Sequence, residues 1–205
     1  MTNGASGEID FNADIGESFA GYELGLDSEI VKHITSANIA TGFHAGDPDW
    51  MARTVSLAIE NSVGVGAHPA YPDLTGFGRR KMDLTSDEVR NVVTYQVGAL
   101  AAFTPDRKLQ HVKPHGALYN TAVGDAPVAE AIVTAIKAFD PDLIHVVLAG
   151  SQWELIARSH GVRVARECYA DRAVTADGTL VPRSQSGAVV HDPEEVVARS
   201  LKLAT

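Results

Sequence analysis

Short apolar runs alternate with longer amphipathic segments along the chain. The runs are Ile9 to Ala13, Ala37 to Thr41, Val63 to Ala67, His111 to Pro114, Ile144 to Ala149 and Val162 to Cys168. They read as continuous rather than alternating, the pattern of strands in a parallel sheet covered on both faces. The segments between them carry helix start signals. Asp47-Pro48 supplies a cap and a first-turn proline for a helix reaching about Asn61. Thr85-Ser86-Asp87-Glu88 is a capping-box pattern ahead of Val89, Val92, Val93, Val97 and Leu100, and Ser151-Gln152-Trp153-Glu154 repeats it. Asp125 precedes a helix over Val128 to Phe139, and Asp192-Pro193 opens a final one. Six strand-helix units averaging ~30 residues predict an α/β fold with a parallel sheet or barrel. No linker or low-complexity tract interrupts this rhythm, so residues 1–205 read as one domain. The longest irregular stretch, Pro69 to Asp83, has the length of a loop that walls an active site.

Polar chemistry gathers where the runs end. His44 follows Gly42-Phe43, His68 follows Gly66-Ala67, Lys113 and His115 flank Pro114, and Asn12-Ala13-Asp14-Ile15-Gly16-Glu17 closes the first run. Reactive side chains at the carboxyl ends of successive strands are what α/β barrels and open sheets offer a substrate. The pattern predicts an enzyme. Glu167, at the end of the sixth run, is expected to face the same site. His111 begins its run and belongs at the opposite end, while His33, His145, His160 and His191 read as structural or surface residues.

Composition narrows the partners. The 205 residues are 45% hydrophobic and 21% charged, enough for one sizeable core. The net charge of −9 opposes nonspecific attraction to nucleic acid or an anionic membrane, leaving small molecules and proteins. No apolar stretch approaches the ~20 residues of a membrane helix. Cys168 is the single cysteine, so no internal disulfide forms, and it is expected to be a small buried residue. The start Met-Thr-Asn-Gly-Ala-Ser-Gly lacks the basic and apolar regions of a signal peptide, and a cytoplasmic setting is expected. Neither a Gly-x-x-x-x-Gly-Lys-Ser/Thr loop nor a Gly-x-Gly-x-x-Gly turn is present, so ATP, if used, binds by another means or on a partner.

Several longer motifs occur in order. They are Asn12 to Glu17, Ser36-Ala37-Asn38-Ile39-Ala40, Gly42 to Pro48, Gly66-Ala67-His68-Pro69, Tyr71-Pro72-Asp73, Gly76-Phe77-Gly78-Arg79-Arg80, Val112 to Asn120, Ala170-Asp171-Arg172 and Leu180-Val181-Pro182-Arg183. Together they resemble the LamB/YcsF family, the family of bacterial 5-oxoprolinase A subunits. The resemblance implies a distorted (β/α) TIM-like barrel. It also implies ATP-dependent opening of the 5-oxoproline lactam to glutamate together with subunits B and C, and a distant relation to barrel deacetylases that use metal. Family chains usually continue into a further strand ending in His-Gly-Asp, whereas this sequence stops at Thr205. The expectation is a barrel lacking its last βα unit. A metal-dependent deacetylase or amidase, and a shortened partner-binding member without turnover, are the alternatives.

Opening a lactam requires a nucleophile, stabilisation of an oxyanion and a proton for the leaving nitrogen. Asp14 is expected as base or ligand, with Glu17 next to it as a substrate-binding acid. His44 and His68 serve either as acid-base groups or, with Asp14, as ligands of a divalent metal, since imidazole and carboxylate suit zinc or manganese. Lys113 is assigned to carbonyl or phosphate stabilisation and His115 to proton transfer. Arg79 and Arg80 form an anion receptor in a glycine-rich turn. Asp47, Asp171 and Arg172 are second-rank substrate contacts, Asp47 being equally explained as a helix cap.

Overall fold

A computed structural model describes residues 9–176 and 178–204; the initial Met1 to Gly7 segment considered above lies outside them. The strands are β1 (Asn12–Ile15), β2 (Ser36–Ala40), β3 (Gly64–His68), β4 (His111–Val112), β5 (Ile144–Leu148) and β6 (Arg163–Glu167). The helices are α1 (Asp27–Ile30), α2 (Pro48–Glu60), α3 (Ser86–Ala101), α4 (Gly116–Gly124), α5 (Ala126–Phe139), α6 (Gln152–Ser159) and α7 (Pro193–Leu203). All six strands are parallel and lie in sequence order, each hydrogen-bonded to the next. Lys113, just past β4, touches Asp14 of β1 and Glu167 of β6, so the sheet curls into a half-barrel around it. Among the described residues β6 and β1 do not pair. The result is a TIM-like α/β fold with an open seam.

Local signals explain most boundaries. Asp47 accepts from the amides of Asp49 and Trp50 at the start of α2, and Thr85 and Glu88 complete a capping box on α3. Helix-facing strand residues Ala37, Ile39, Val65, Ala67, Val112 and Val147 join Val93, Val97, Leu100, Ile132 and Ile136 in one apolar cluster. Burying each of the larger aliphatic side chains contributes roughly 1.5–3 kcal/mol before entropy is counted.

The inward face is polar. Asn38 donates to Asn12 and Asp14 and accepts from His111 Nε2 at 2.8 Å. Gly66 lies opposite, where an added Cβ would sit 2.1 Å from that same nitrogen. Glycine there is the room the His111 ring occupies.

Three expectations need correction. The first strand runs from Asn12 to Ile15 rather than from Ile9 to Ala13, because Ile9 and Phe11 are exposed. Asp14 therefore sits inside the ladder, opposite Asn38, and not in the turn after it. Cys168 is exposed, since it follows β6 where the chain leaves the sheet. Helices α1 and α4 have no counterpart among the segments that carry helix start signals.

Candidate active site

The polar side chains converge at the carboxyl end of the half-barrel. Lys113 is at its base, with Nζ 2.6 Å from Glu167 Oε1, 3.1 Å from Asn12 Oδ1 and 3.3 Å from Asp14 Oδ1. An ammonium has three protons, and three acceptors meet them. Burial would lower the lysine pKa, but the Asp14 and Glu167 carboxylates outweigh it and hold the amine above its ordinary value. Burial would likewise raise the Asp14 pKa, yet His68 and Lys113 draw it well below the usual carboxylate range. Asp14 is thus an anion facing His68, its Oδ2 3.3 Å from Nε2.

The histidine tautomers follow from their backbone partners. His68 Nδ1 is 2.6 Å from the Lys113 carbonyl and His115 Nε2 is 2.9 Å from the Phe77 carbonyl. A carbonyl only accepts, so both nitrogens carry hydrogen, and in the neutral rings the opposite ones, His68 Nε2 and His115 Nδ1, present lone pairs. These face each other at 2.9 Å. Two lone pairs that close repel unless a proton or a cation lies between them.

His44 completes the group. Its ring stacks on His115 at 3.9 Å, and its Nε2 lies 3.4 Å from Glu17 Oε1. Both His44 ring nitrogens and Glu17 Oε1 are buried without a hydrogen-bond partner. Burial depresses the His44 pKa well below its normal value and, helped by the neighbouring His68 and His44, takes His115 down to about 3. Burial raises the Glu17 pKa. One donor atom from each of Glu17, His44, His68 and His115 lies within 4.8 Å of the others. Neutral imidazoles plus one carboxylate, with orphaned atoms aimed inward, fit a divalent transition metal. Asp14, expected as the third ligand, lies beside these four rather than among them.

The loop from Pro69 to Asp83 forms one wall. Phe77 meets His44 and His115 edge-on, at 5.6 and 5.4 Å. Arg80 is tied to Asp73 and Thr75, while the exposed Arg79 lies over the Phe77 ring and acts electrostatically on Glu17 and His44. Asp47 is used by the cap of α2 and the Ala20 amide. Arg172 is buried and donates to the Ala188 and Val181 carbonyls, bracing the segment after β6, and Asp171 accepts from the Val190 amide through its backbone. The fold thus brings Asp14, Glu17, His44, His68, Lys113 and His115 together, with Arg79 at the rim. Asn12, Asn38 and Phe77 lie within the sequence motifs, but nothing in the sequence gives them a role. What singles out Asn12 and Asn38 is their position two residues from, and across the ladder from, Asp14, and what singles out Phe77 is its carbonyl against His115.

Known proteins resemble this chain over nearly all of its length. A 5-oxoprolinase A subunit from Pyrococcus furiosus is 57% identical over 198 residues, which cover 96% of this chain and 78% of that protein. The corresponding protein from Alkaliphilus metalliredigens is 54% identical over 96% of this chain and 77% of its own length. The crystal structure of a lactam utilization protein from Thermus thermophilus superposes with a TM-score of 0.91 at 48% identity, covering 96% of this chain and 80% of that one. The LamB/YcsF family pattern matches residues 9–205, and the chain belongs to the LamB/YcsF family.

Proposed function

We propose that this chain is the A subunit of a 5-oxoprolinase that opens the lactam of 5-oxoproline to glutamate. The observation that carries the reading is the meeting of two carboxylates at one end of the half-barrel, Asp14 against the buried Lys113 ammonium and Glu17 against His44 and His115. In this reading Asp14 removes a proton from the attacking water and Glu17 supplies one to the ring nitrogen as the C–N bond breaks. Lys113 keeps positive charge beneath the developing oxyanion. Arg79 receives the substrate carboxylate. ATP serves to phosphorylate the carbonyl oxygen, so that water attack with C–N cleavage leaves an acyl phosphate, which a second water hydrolyses to glutamate and inorganic phosphate; the nucleotide is bound with partner subunits B and C. His44, His68 and His115 would hold a divalent metal, which supplies Lewis-acid polarisation when bound, and Glu17 would join them as a fourth donor only once it has given up its proton. We place the protein in the cytoplasm and treat it as one domain. Among the described residues no helix is long and apolar enough to cross a membrane.

The test is glutamate formation from 5-oxoproline and ATP with subunits B and C, each component omitted in turn. We expect turnover only with all present, and Asp14→Asn to lower kcat by about 1,000-fold. Turnover that is indifferent to this chain would refute the reading. The four-donor cluster also favours a second one, metal-dependent hydrolysis of an acyclic amide. Stoichiometric zinc together with ATP-independent deacetylation would select it.

A further inference from the structure

We infer that Glu167 is a positioning residue that acts through Lys113, keeping Asp14 oriented toward His68; this rests on the lactam-opening role proposed above. The Lys113 ammonium lies between two carboxylates at unequal distances, 2.6 Å to Glu167 and 3.3 Å to Asp14. A charge-assisted bond strengthens as it shortens, so Glu167 takes the dominant share of the lysine. The Lys113 and Glu167 side chains are only 6% and 4% exposed, where such a bond is little screened.

The second Glu167 oxygen accepts from the Tyr169 hydroxyl at 2.7 Å, and the Tyr169 ring lies 5.3 Å from Lys113 Nζ. The carboxylate is therefore fixed at both ends. Its place on β6 matters because β6 and β1 do not pair among the described residues. Glu167 draws the lysine toward the β6 side of the seam, away from Asp14 on β1.

The charge balance gives the consequence. One cation between two anions leaves a net negative charge, so Asp14 is held in place as an anion with its second oxygen still facing His68. If Glu167 loses its charge, Lys113 and Asp14 become a simple pair and close on each other. Asp14 Oδ1 is then consumed by the lysine, and the carboxylate swings from His68.

The experiment compares wild type with Glu167→Gln, Glu167→Asp and Tyr169→Phe. The readouts are steady-state glutamate formation with ATP and subunits B and C, thermal melting, and the NMR signal of the Lys113 ammonium. For Glu167→Gln we expect kcat to fall about 100-fold with KM within about threefold, the split of a group that acts only on the chemical step. The Lys113 ammonium signal should shift. Glu167→Asp should recover about tenfold of that loss, and Tyr169→Phe should cost about tenfold, as one lost hydrogen bond to a charged carboxylate would.

Unchanged kcat in Glu167→Gln overturns the inference. So does a rise in KM alone, which would put Glu167 on the substrate. Equal losses of melting temperature and activity in Glu167→Gln and Glu167→Asp would assign it a purely structural role and overturn it too. Wild type that makes no glutamate refutes the lactam-opening reading instead; the ammonium signal then still decides whether Glu167 governs the state of Lys113.

Discussion

Gly78 holds a left-handed φ of +62° beside the two stacked histidines. A Cβ there would stand 2.8 Å from both His115 Cδ2 and His44 Cβ. Gly78→Ala combines backbone strain of about 1–2 kcal/mol with displacement of both rings. We expect glutamate formation to drop at least about tenfold, on the view that ring placement sets the rate. Normal turnover with an unshifted melting temperature would show that the stack is not required. His145 is the contrasting case, a histidine paired across the ladder with Val112 and outside the cluster, whose ring nitrogens are both buried and unpartnered. Burial takes its pKa from 6.5 down to about 4. The unfolded chain therefore binds a proton first as pH falls, so the stability contribution is intact above 6.5, declines between 6.5 and 4, and levels below that. His145→Leu should flatten melting temperature against pH in this window and raise stability near neutrality by about 1 kcal/mol, since an unsatisfied polar ring becomes apolar. A slope identical to wild type would exclude His145 as a contributor. From the sequence His145 reads as a structural or surface residue, and its burial decides for the first. The sequence also reveals that His44, His68, Lys113 and His115 cap strands, but not their tautomers, because these depend on the Lys113 and Phe77 carbonyls brought in by folding.

Helix α3 shows how far an element can be read in advance. Its Thr85–Glu88 capping box is a local sequence device, and both of its hydrogen bonds form. Thr85→Ala should cost about 1 kcal/mol of stability. Glutamate formation should be unchanged, since Thr85 lies outside the histidine cluster; loss of turnover would mean that α3 transmits to the site. Helix α4 is the opposite case. It begins at Gly116, its N-cap His115 makes no side-chain capping bond, and its sequence Gly-Ala-Leu-Tyr-Asn-Thr-Ala-Val-Gly carries no acidic first turn. What sets its start is tertiary: Gly116 has φ +50°, and the Ala117 amide donates to the Gly78 carbonyl of the active-site wall. The His115 side chain is spared from capping and turned to Phe77 instead. A helix start diverted to function has no cap signature to read. The first strand departs from its sequence pattern for a related reason. An apolar run normally marks a buried strand, but Ile9 and Phe11 are 57% and 58% exposed, while the polar Asn12 and Asp14 point into the half-barrel.

For the whole molecule, the consequence of a curled but unclosed sheet is two strand edges. Among the described residues β1 pairs only with β2, and β6 only with β5. Exposed Phe11 and Ile9 adjoin the β1 edge, and α7 buries none of its residues, with Val197 59% exposed. Unpaired edges flanked by apolar side chains are templates for association with another chain. The net charge of −9 opposes this at long range, but salt screens that repulsion within ~8 Å at physiological ionic strength. Self-association should therefore grow as salt is added, the reverse of what an assembly held by ion pairs would do. Sedimentation velocity at low and high protein concentration, in low and moderate salt, measures it. Phe11→Lys and Val197→Glu each put a charge on one of these surfaces while touching nothing buried, so each should alter stability by no more than about 0.5 kcal/mol. If the β1 edge is the contact, Phe11→Lys returns the sample to monomer in moderate salt and Val197→Glu does not; the opposite result assigns the contact to α7. Association that is unaffected by either variant, or that weakens with salt, would rule out the open seam as its origin.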